Sequence, residues 1–184
     1  MENISVIKNA NFIDNELNWF EKVLNTRRSI HFKNDTRSSD INQITSSVLD
    51  DSDYAKIINR HEMKFEERIA IVLALIPHVK PSLLDTLFMR HESLNRRYTE
   101  FGGIEGEFHA GFIPTSETLM FILADDDLSK RFQLMYLFDR NHVFHKMNIL
   151  CLQRFEVDKI EAEMSKVLKI SDEFLSLIIY GKTK

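Results

Sequence analysis

Apolar residues recur at helical spacing along most of this chain and at strand spacing in two places. Over residues 11–25 the apolar positions lie three or four apart, which predicts an amphipathic helix. The polar stretch over 27–40 predicts a loop, and weaker helical patterning returns over 41–60. The positions that define the first helix are Ile13, Leu17, Phe20 and Leu24.

Residues 64–76 carry the strongest helical pattern in the sequence. This segment is apolar around so much of its circumference that we expect it at the centre of the core. Pro77 predicts the end of the helix, and Pro81 suits the first turn of a second helix that buries Leu84, Leu87 and Phe88. Two helices joined by a turn of about four residues form a helix-turn-helix-like unit.

From Ile104 the apolar period becomes two, which predicts a half-buried strand after a turn at Gly102 and Gly103. Thr115 is the predicted N-cap of a helix that runs through Ala124. The acids at positions 125–127 then open another helix. We expect its buried face to consist of Leu128, Phe132, Met135 and Phe138.

The C-terminal third is less regular. Residues 143–155 alternate and predict a strand that buries Cys151, whereas 157–169 fit either a helix or the closing strand of a hairpin. Ser171 and Gly181 mark the start and end of a last helix. The patterns together predict an α+β, predominantly helical fold. A winged-helix-like domain with a helix-turn-helix core and β-hairpins spans 61–184, after an N-terminal helical extension over 1–60.

Composition narrows the functional classes. Hydrophobic residues make up 43% of the 184 positions, enough for a sizeable core. The net charge of −4 does not favour nucleic acid as a partner. A single cysteine excludes an internal disulfide and favours a reducing compartment, and no apolar run approaches the roughly 20 residues of a membrane span. We therefore expect a cytoplasmic protein that does not enter a membrane.

Four of the five glycines fall between positions 102 and 111, which invites a search for a phosphate-binding loop. A Walker A loop needs Lys and Ser or Thr directly after its second glycine. Here Phe112 and Ile113 follow Gly111, and Glu105 lies nearby with the wrong charge. We favour turns and a strand, and we expect no nucleotide or other cofactor.

The remaining chemical patterns are weak. His61 begins a metalloprotease-like segment without its second histidine, and no second cysteine is available, so we expect no metal site. The acids at 125–127 are interpreted as a helix cap and not as a magnesium cluster. A scattered acid/base group is a further alternative, although its alternation favours one solvated strand face. That group consists of Glu100, Glu105, Glu107 and His109.

Basic residues form two groups in the sequence. Arg90, Arg96 and Arg97 follow the second core helix, and a second group lies in the predicted early loop: Arg27, Arg28, Lys33 and Arg37. Arginines in a helix-turn-helix protein can bind phosphates. However, the candidate recognition helix carries Asp85 at its centre and few base-reading side chains. Protein contact is therefore the preferred interpretation and nucleic-acid binding the alternative.

Three stretches resemble a known family: ERIAIVLALIPHVKPSLLD at 67–85, TEFGG at 99–103 and GFIPTSET at 111–118. They resemble the N-terminal, winged-helix-like region of bacterial AAA+ ATPases encoded with contractile injection systems, the phage-tail-like particles. The resemblance covers roughly residues 62–181. It implies an ATPase that acts on assembly or turnover of the injection particle, but this chain lacks the Walker A and Walker B segments.

The resemblance and the missing chemistry predict a non-catalytic N-terminal domain that contacts a partner protein or its own downstream ATPase module. No catalytic residue is expected, and the sequence does not indicate an oligomeric state. Phe101, Phe108 and Phe112 offer an apolar shelf for docking if they are exposed, although burial is the commoner fate of phenylalanine. The predicted contact surface consists of Arg96, Arg97, Glu100, Phe101, Gly102, Gly103 and Glu105.

Overall fold

The computed structural model describes residues 4–33, 40–46, 51–106, 109–154 and 162–181. Within these ranges the α-helices are α1 (Ile4–His31), α2 (Asp53–Arg60), α3 (Phe65–Val79), α4 (Ser116–Ala124), α5 (Leu128–Leu134), α6 (Val143–Lys146) and α7 (Asp172–Tyr180). The strands are β1 (Arg90–His91), β2 (Arg96–Arg97), β3 (Ile104–Glu105), β4 (Phe112–Ile113), β5 (Leu150–Gln153) and β6 (Val167–Ile170). Short 3₁₀-helices occupy Ile41–Gln43, Pro81–Phe88, Thr99–Phe101, Met135–Phe138 and Glu163–Ser165.

Helix α3 lies at the centre of the core, as its pattern predicts. Every residue from Ile69 to Ile76 is at most 1% exposed, and α3 packs against α1, α4 and β6. Pro77 does not end the helix, which continues to Val79. A proline in the last turn removes a single intrahelical hydrogen bond, so the helix tolerates it there.

Helix α1 is longer than predicted and reaches His31, so the predicted loop is wrong in its first residues. Residues 34–39 of that loop lie outside the described ranges. The buried face of α1 packs against α2, α3, α4 and α7. One hydrophobic core therefore contains residues from both predicted segments, 1–60 and 61–184, and the division between them stays a prediction.

The predicted helix-turn-helix differs from the structure at its turn. Only Lys80 separates α3 from the 3₁₀-helix Pro81–Phe88, and the two axes bend by 103°. Pro81 does occupy the first turn of the second element, and Leu84 and Leu87 are buried. Among the described residues no single helix is long and apolar enough to cross a membrane, and by length and composition alone only this bent pair meets that test.

Three antiparallel strand pairs complete the fold: β1–β2, β3–β4 and β5–β6. In the second pair Ile104 lies opposite Ile113, so a strand does begin after the glycines but ends at Glu105. The single strand predicted from Ile104 through Phe112 is therefore wrong, because its two ends belong to separate strands that pair with each other. Glu107 and Phe108 lie outside the described residues. In the third pair β6 supplies the closing strand, one of the two alternatives for residues 157–169. The predominantly helical α+β class is confirmed, and the winged-helix arrangement stays a prediction.

Helix caps follow the sequence closely. Thr115 and Thr118 form a capping box at the start of α4, and Ser171 accepts a hydrogen bond from Phe174 N–H at the start of α7. Gly181 adopts the left-handed conformation that ends α7. These signals are local, because each depends on residues within one helical turn.

The predicted strand over 143–155 is wrong in its first half. His142 accepts a hydrogen bond from Phe144 N–H and caps the short helix α6, and strand β5 begins only at Leu150. The alternation of buried and exposed side chains in β5 is also shifted by one residue from the prediction, because Leu150 faces the core and Cys151 is exposed. The buried cysteine predicted from the alternation is therefore a surface thiol.

The predicted buried face of α5 is wrong at three of its four positions, since only Phe138 packs against the core. Leu128 is 65% exposed, Phe132 74% and Met135 39%, whereas Leu134 and Leu137 turn toward the core. Helix α5 has only seven residues before it tightens into a 3₁₀-helix. This change of period affects only the side chains from Met135 onward. Leu128 and Phe132 precede it, so their exposure reflects which face of α5 packs against α4.

Candidate interaction site: the arginine hairpin and the glycine turn

Strands β1 and β2 form a short hairpin over residues 90–97, here called the arginine hairpin. Arg90 lies opposite Arg97 and His91 opposite Arg96, so three of its four paired positions carry a guanidinium group. The tip closes through Asn95, which has a φ of 46°, a conformation that asparagine tolerates better than most residues. The hairpin carries the predicted site residues Arg96 and Arg97.

Arg97 anchors the arginine hairpin to the rest of the domain. Its guanidinium carbon lies 4.7 Å from the centre of the Phe88 ring, and its terminal nitrogen pairs with the Glu105 carboxylate. Both contacts connect β2 with elements that flank it in the chain. The charge of Arg97 is thus offset by the predicted site residue Glu105, which remains exposed.

Two other arginines of this region are exposed, and a third, Arg28, is half-buried. Arg90 is exposed and donates to the Asn95 carbonyl at 3.1 Å, and Arg96 is exposed with no partner among the described residues. Arg28 of α1 donates to the Met89 sulfur at 2.9 Å, next to Arg90 in the chain. The fold therefore brings a residue of the early basic group to the base of the arginine hairpin.

Exposed apolar residues accompany these cations. Leu94 at the tip of the arginine hairpin is 56% exposed, and Met89 at its base is 37% exposed. Arginine and methionine are enriched in protein interfaces, where lysine and glutamate are depleted. The combination is more typical of a protein-binding surface than of a phosphate-binding one.

The glycine turn, Gly102–Gly103, is a packed support and not an open loop. Both residues have positive φ, at 58° and 73°. A Cβ at Gly103 would lie 2.0 Å from the Phe112 ring. The Gly103 N–H donates a hydrogen bond to Thr115 Oγ1 at 3.1 Å. The glycines are required for close approach to β4 and α4, so they leave little space for a ligand.

Phe101 does not contribute to an exposed surface, which corrects its place in the predicted contact set. It is fully buried, with its ring centre 4.6 Å from that of Phe121 and 5.0 Å from that of Tyr98. Phe112 is also fully buried, and Phe108 lies outside the described residues. The predicted apolar shelf is thus part of the core at both described positions.

The described members of the predicted acid/base group, Glu100 among them, have different surroundings. Glu100 Oε1 lies 3.3 Å from His31 Nε2, while Glu105 pairs with Arg97. His109 packs near Gly111, and its Nε2 is buried with no hydrogen-bond partner among the described residues. Glu107 lies outside the described ranges. The contacts of the described carboxylates give no joint acid/base arrangement with His109.

A buried set of hydrogen bonds and charge contacts around Arg27 lies behind this surface and was not predicted from the sequence. Arg27 is 8% exposed, and it donates to the carbonyls of Ile122 at 2.8 Å and Leu123 at 3.3 Å, at the end of α4. Burial lowers the pKa of Arg27, an effect that the charge of Asp125 opposes. Arg27 therefore has a structural role, whereas its neighbour Arg28 reaches the arginine hairpin. The two adjacent arginines differ in the direction in which they project from α1, and that direction depends on the helix continuing beyond residue 25.

The chain matches no protein-family model, no curated protein and no solved structure.

Proposed function

We propose that this chain is a non-catalytic recognition module whose arginine hairpin contacts an acidic protein surface. The observation that carries the proposal is the gathering of Arg28, Arg90 and Arg96 with exposed Leu94 around one small hairpin. Exposed arginines next to apolar side chains supply both the charge pairing and the desolvated contact of a protein interface.

The resemblance to N-terminal regions of AAA+ ATPases gives this module a biological setting. In that setting the chain lies in the cytoplasm and positions a substrate protein, or its own ATPase module, of a contractile injection system. The winged-helix-like description belongs to the same proposal. The packed glycine turn supports the contact role of the arginine hairpin indirectly, because a rigid base fixes the hairpin relative to the core.

Nucleic acid is the second candidate, since the same arginines suit phosphate groups. The 3₁₀-helix Pro81–Phe88 weighs against it as a recognition helix. Leu84 and Leu87 point into the core, and Asp85 lies on the exposed side. An exposed carboxylate at the centre of such a helix would face the negative phosphates. We therefore prefer an acidic protein as the partner.

The test compares two double variants of equal charge change. Arg90→Glu/Arg96→Glu reverses the arginine hairpin, and Lys22→Glu/Lys146→Glu reverses two exposed lysines elsewhere. Each tagged chain is cross-linked in the native host, and the attached proteins are identified with and without nuclease treatment. We expect one set of partner proteins with the native chain and the lysine variant, lost from the arginine variant and insensitive to nuclease.

Three results would contradict the proposal. Loss of all partners after nuclease treatment would favour nucleic acid. Equal capture of partner proteins by both double variants would show that the arginine hairpin is not part of the contact surface. Micromolar ATP binding by the purified chain in calorimetry would overturn its non-catalytic character, because the proposal places nucleotide chemistry outside these residues.

A further inference from the structure

His31 occupies an unusual position at the end of α1. Its side chain is 15% exposed, and its ring packs edge-on against Phe32, Phe101 and Phe121 at centre distances of 5.0, 6.0 and 5.3 Å. Both ring nitrogens face carboxylates. Nδ1 lies 2.7 Å from Asp125 Oδ1, and Nε2 lies 3.3 Å from Glu100 Oε1.

A neutral imidazole cannot satisfy both contacts. It has one N–H donor, and an ionised carboxylate only accepts hydrogen bonds. When Nε2–H donates to Glu100, the lone pair of Nδ1 faces the anionic oxygen of Asp125. Two such groups at 2.7 Å repel each other unless a cation lies between them. The other neutral tautomer donates Nδ1–H to Asp125 and leaves the lone pair of Nε2 facing Glu100 at 3.3 Å. A metal ion on Nδ1 with Nε2–H on Glu100, or a second proton on the ring, satisfies both contacts at once.

Asp126 extends this pair to a set of three possible ligands. One donor atom each from His31, Asp125 and Asp126 lies within 4.8 Å of the others. Asp126 is exposed and has no hydrogen-bond partner among the described residues, so its side chain is able to rotate toward the pair. Imidazole and carboxylate together suit zinc and related divalent transition metals.

Glu100 completes the pattern from the opposite side of the ring. A histidine that ligates a metal commonly donates its other N–H to a carboxylate, which fixes the tautomer and the ring orientation. Glu100 lies where that role requires it, and it comes from a different element, the 3₁₀-helix Thr99–Phe101. This contact is independent of the two aspartates.

The surrounding charges leave room for a cation. Arg27 NH1 lies 3.6 Å from Asp125 Oδ2 and offsets part of the negative charge. Arg131 donates to the Asp125 carbonyl, but its guanidinium also pairs with Glu117. Asp125, Asp126 and Glu100 supply three carboxylates, whereas Arg27 and Arg131 each interact with other groups as well. With a neutral imidazole the local excess of charge is negative.

We propose that His31, Asp125 and Asp126 bind a divalent transition-metal ion such as Zn²⁺, with Glu100 as the positioning residue. The ion would connect the end of α1 to the α4–α5 junction and, through Glu100, to the element that precedes the glycine turn. The proposal does not depend on the function of the arginine hairpin, because none of its ligands belongs to that surface.

The test uses the purified chain after chelation and dialysis. Calorimetry with ZnCl₂ measures affinity and stoichiometry, and the visible absorption of added Co²⁺ reports a nitrogen-and-oxygen ligand set. We expect one ion per chain and a higher melting temperature with Zn²⁺. Asp126→Asn should weaken binding at least about tenfold, and Glu100→Gln about 10- to 100-fold.

Asp85→Asn is the matched control, since Asp85 is an exposed aspartate in another part of the surface. It should bind Zn²⁺ as the native chain does. Equal Zn²⁺ affinity in the native chain and Asp126→Asn would overturn the proposal, because the ion would then bind elsewhere. Absence of Zn²⁺ and Co²⁺ binding by the native chain would also overturn it.

Discussion

Arg68 in the core and Arg96 in the arginine hairpin carry the same charge in opposite surroundings. Arg68 is 9% exposed, donates to Glu16 Oε2 at 3.2 Å through Nε, and lies 4.7 Å from the centre of the Trp19 ring. Arg96 is exposed and has no partner among the described residues. Burial and partners, more than residue type, therefore separate arginines that stabilise this fold from arginines that are available to another molecule.

The largest expected effect comes from breaking the buried pair. Arg68→Met leaves the Glu16 carboxylate, 1% exposed, without its cation, and Ser46 Oγ at 2.7 Å cannot replace it. We expect the free energy of unfolding to fall by about 3–5 kcal/mol in urea titrations. The double variant Glu16→Leu/Arg68→Met should recover most of that loss. A loss below about 1 kcal/mol in the single variant would show that Glu16 is not dependent on Arg68.

A substitution in the glycine turn tests the support beneath the exposed arginines. Gly103→Ala places a Cβ 2.0 Å from the Phe112 ring at a φ of 73°. Overpacking and positive φ each cost about 1–3 kcal/mol, so we expect a loss near 3 kcal/mol in thermal unfolding. Gly106→Ala is the control, since its Cβ would meet the flexible tip of Ile113 at 2.9 Å and would otherwise lie at ordinary contact distances from His109, 3.4 and 3.6 Å. Equal effects at the two glycines would contradict the close-packed turn.

Arg27 and Arg28, adjacent in α1, allow the same comparison between a structural arginine and one available for contact. Arg27→Met removes the donations to the Ile122 and Leu123 carbonyls, and we expect a loss of about 2 kcal/mol. Arg28→Met should cost less than about 0.5 kcal/mol, because its partner is the Met89 sulfur at the surface. Chemical denaturation of both variants measures the difference. Similar losses would mean that the two side chains do not differ in role.

Acid titration extends the comparison to the half-buried carboxylate of Asp53. The hydrogen bond from Ser5 Oγ, at 2.6 Å, and the contact with Lys56 hold the pKa of Asp53 below its ordinary value. The folded state then binds fewer protons than the unfolded state, whose Asp pKa is about 3.9. This stabilisation is present above about pH 4 and disappears as pH falls through the lowered pKa.

Ser5→Ala should therefore cost less than about 1 kcal/mol at pH 7, and the difference from the native chain should shrink at pH 3. Urea unfolding at the two pH values measures it. A difference that grows toward acid pH would contradict the assigned direction of the pKa shift.

The smallest effect is expected at the arginine hairpin itself. Arg96→Ala should change the free energy of unfolding by no more than about 0.5 kcal/mol, because no described residue depends on it. Thermal unfolding provides the measurement. A loss above about 1 kcal/mol would make Arg96 a structural residue and weaken the proposed contact surface.

Local signals in the sequence predicted the elements that depend on neighbours in the chain. The unbroken apolar run of α3, the Thr115 cap of α4 and the Gly181 stop of α7 are confirmed. The class of fold followed from these elements. The packing order of the helices did not, because it depends on contacts between distant residues.

Distant contacts explain what the sequence did not reveal. Glu16 and Arg68 are 52 positions apart, and His31 and Asp125 are 94 apart, so periodicity does not connect them. The exposed face of α5 also escaped prediction, because the face that packs against α4 is set by contacts between elements and not by the spacing of apolar residues. Of the predicted contact set, the exposed Arg96 remains a candidate and the buried Phe101 does not.

The misassigned cysteine has a practical consequence. Cys151 is the only cysteine in the sequence and is exposed on β5, so a maleimide dye should attach at one known position without mutagenesis. Fluorescence anisotropy of the labelled chain would then report complex formation through slower tumbling. The native thiol thus provides a direct way to titrate candidate partners in solution.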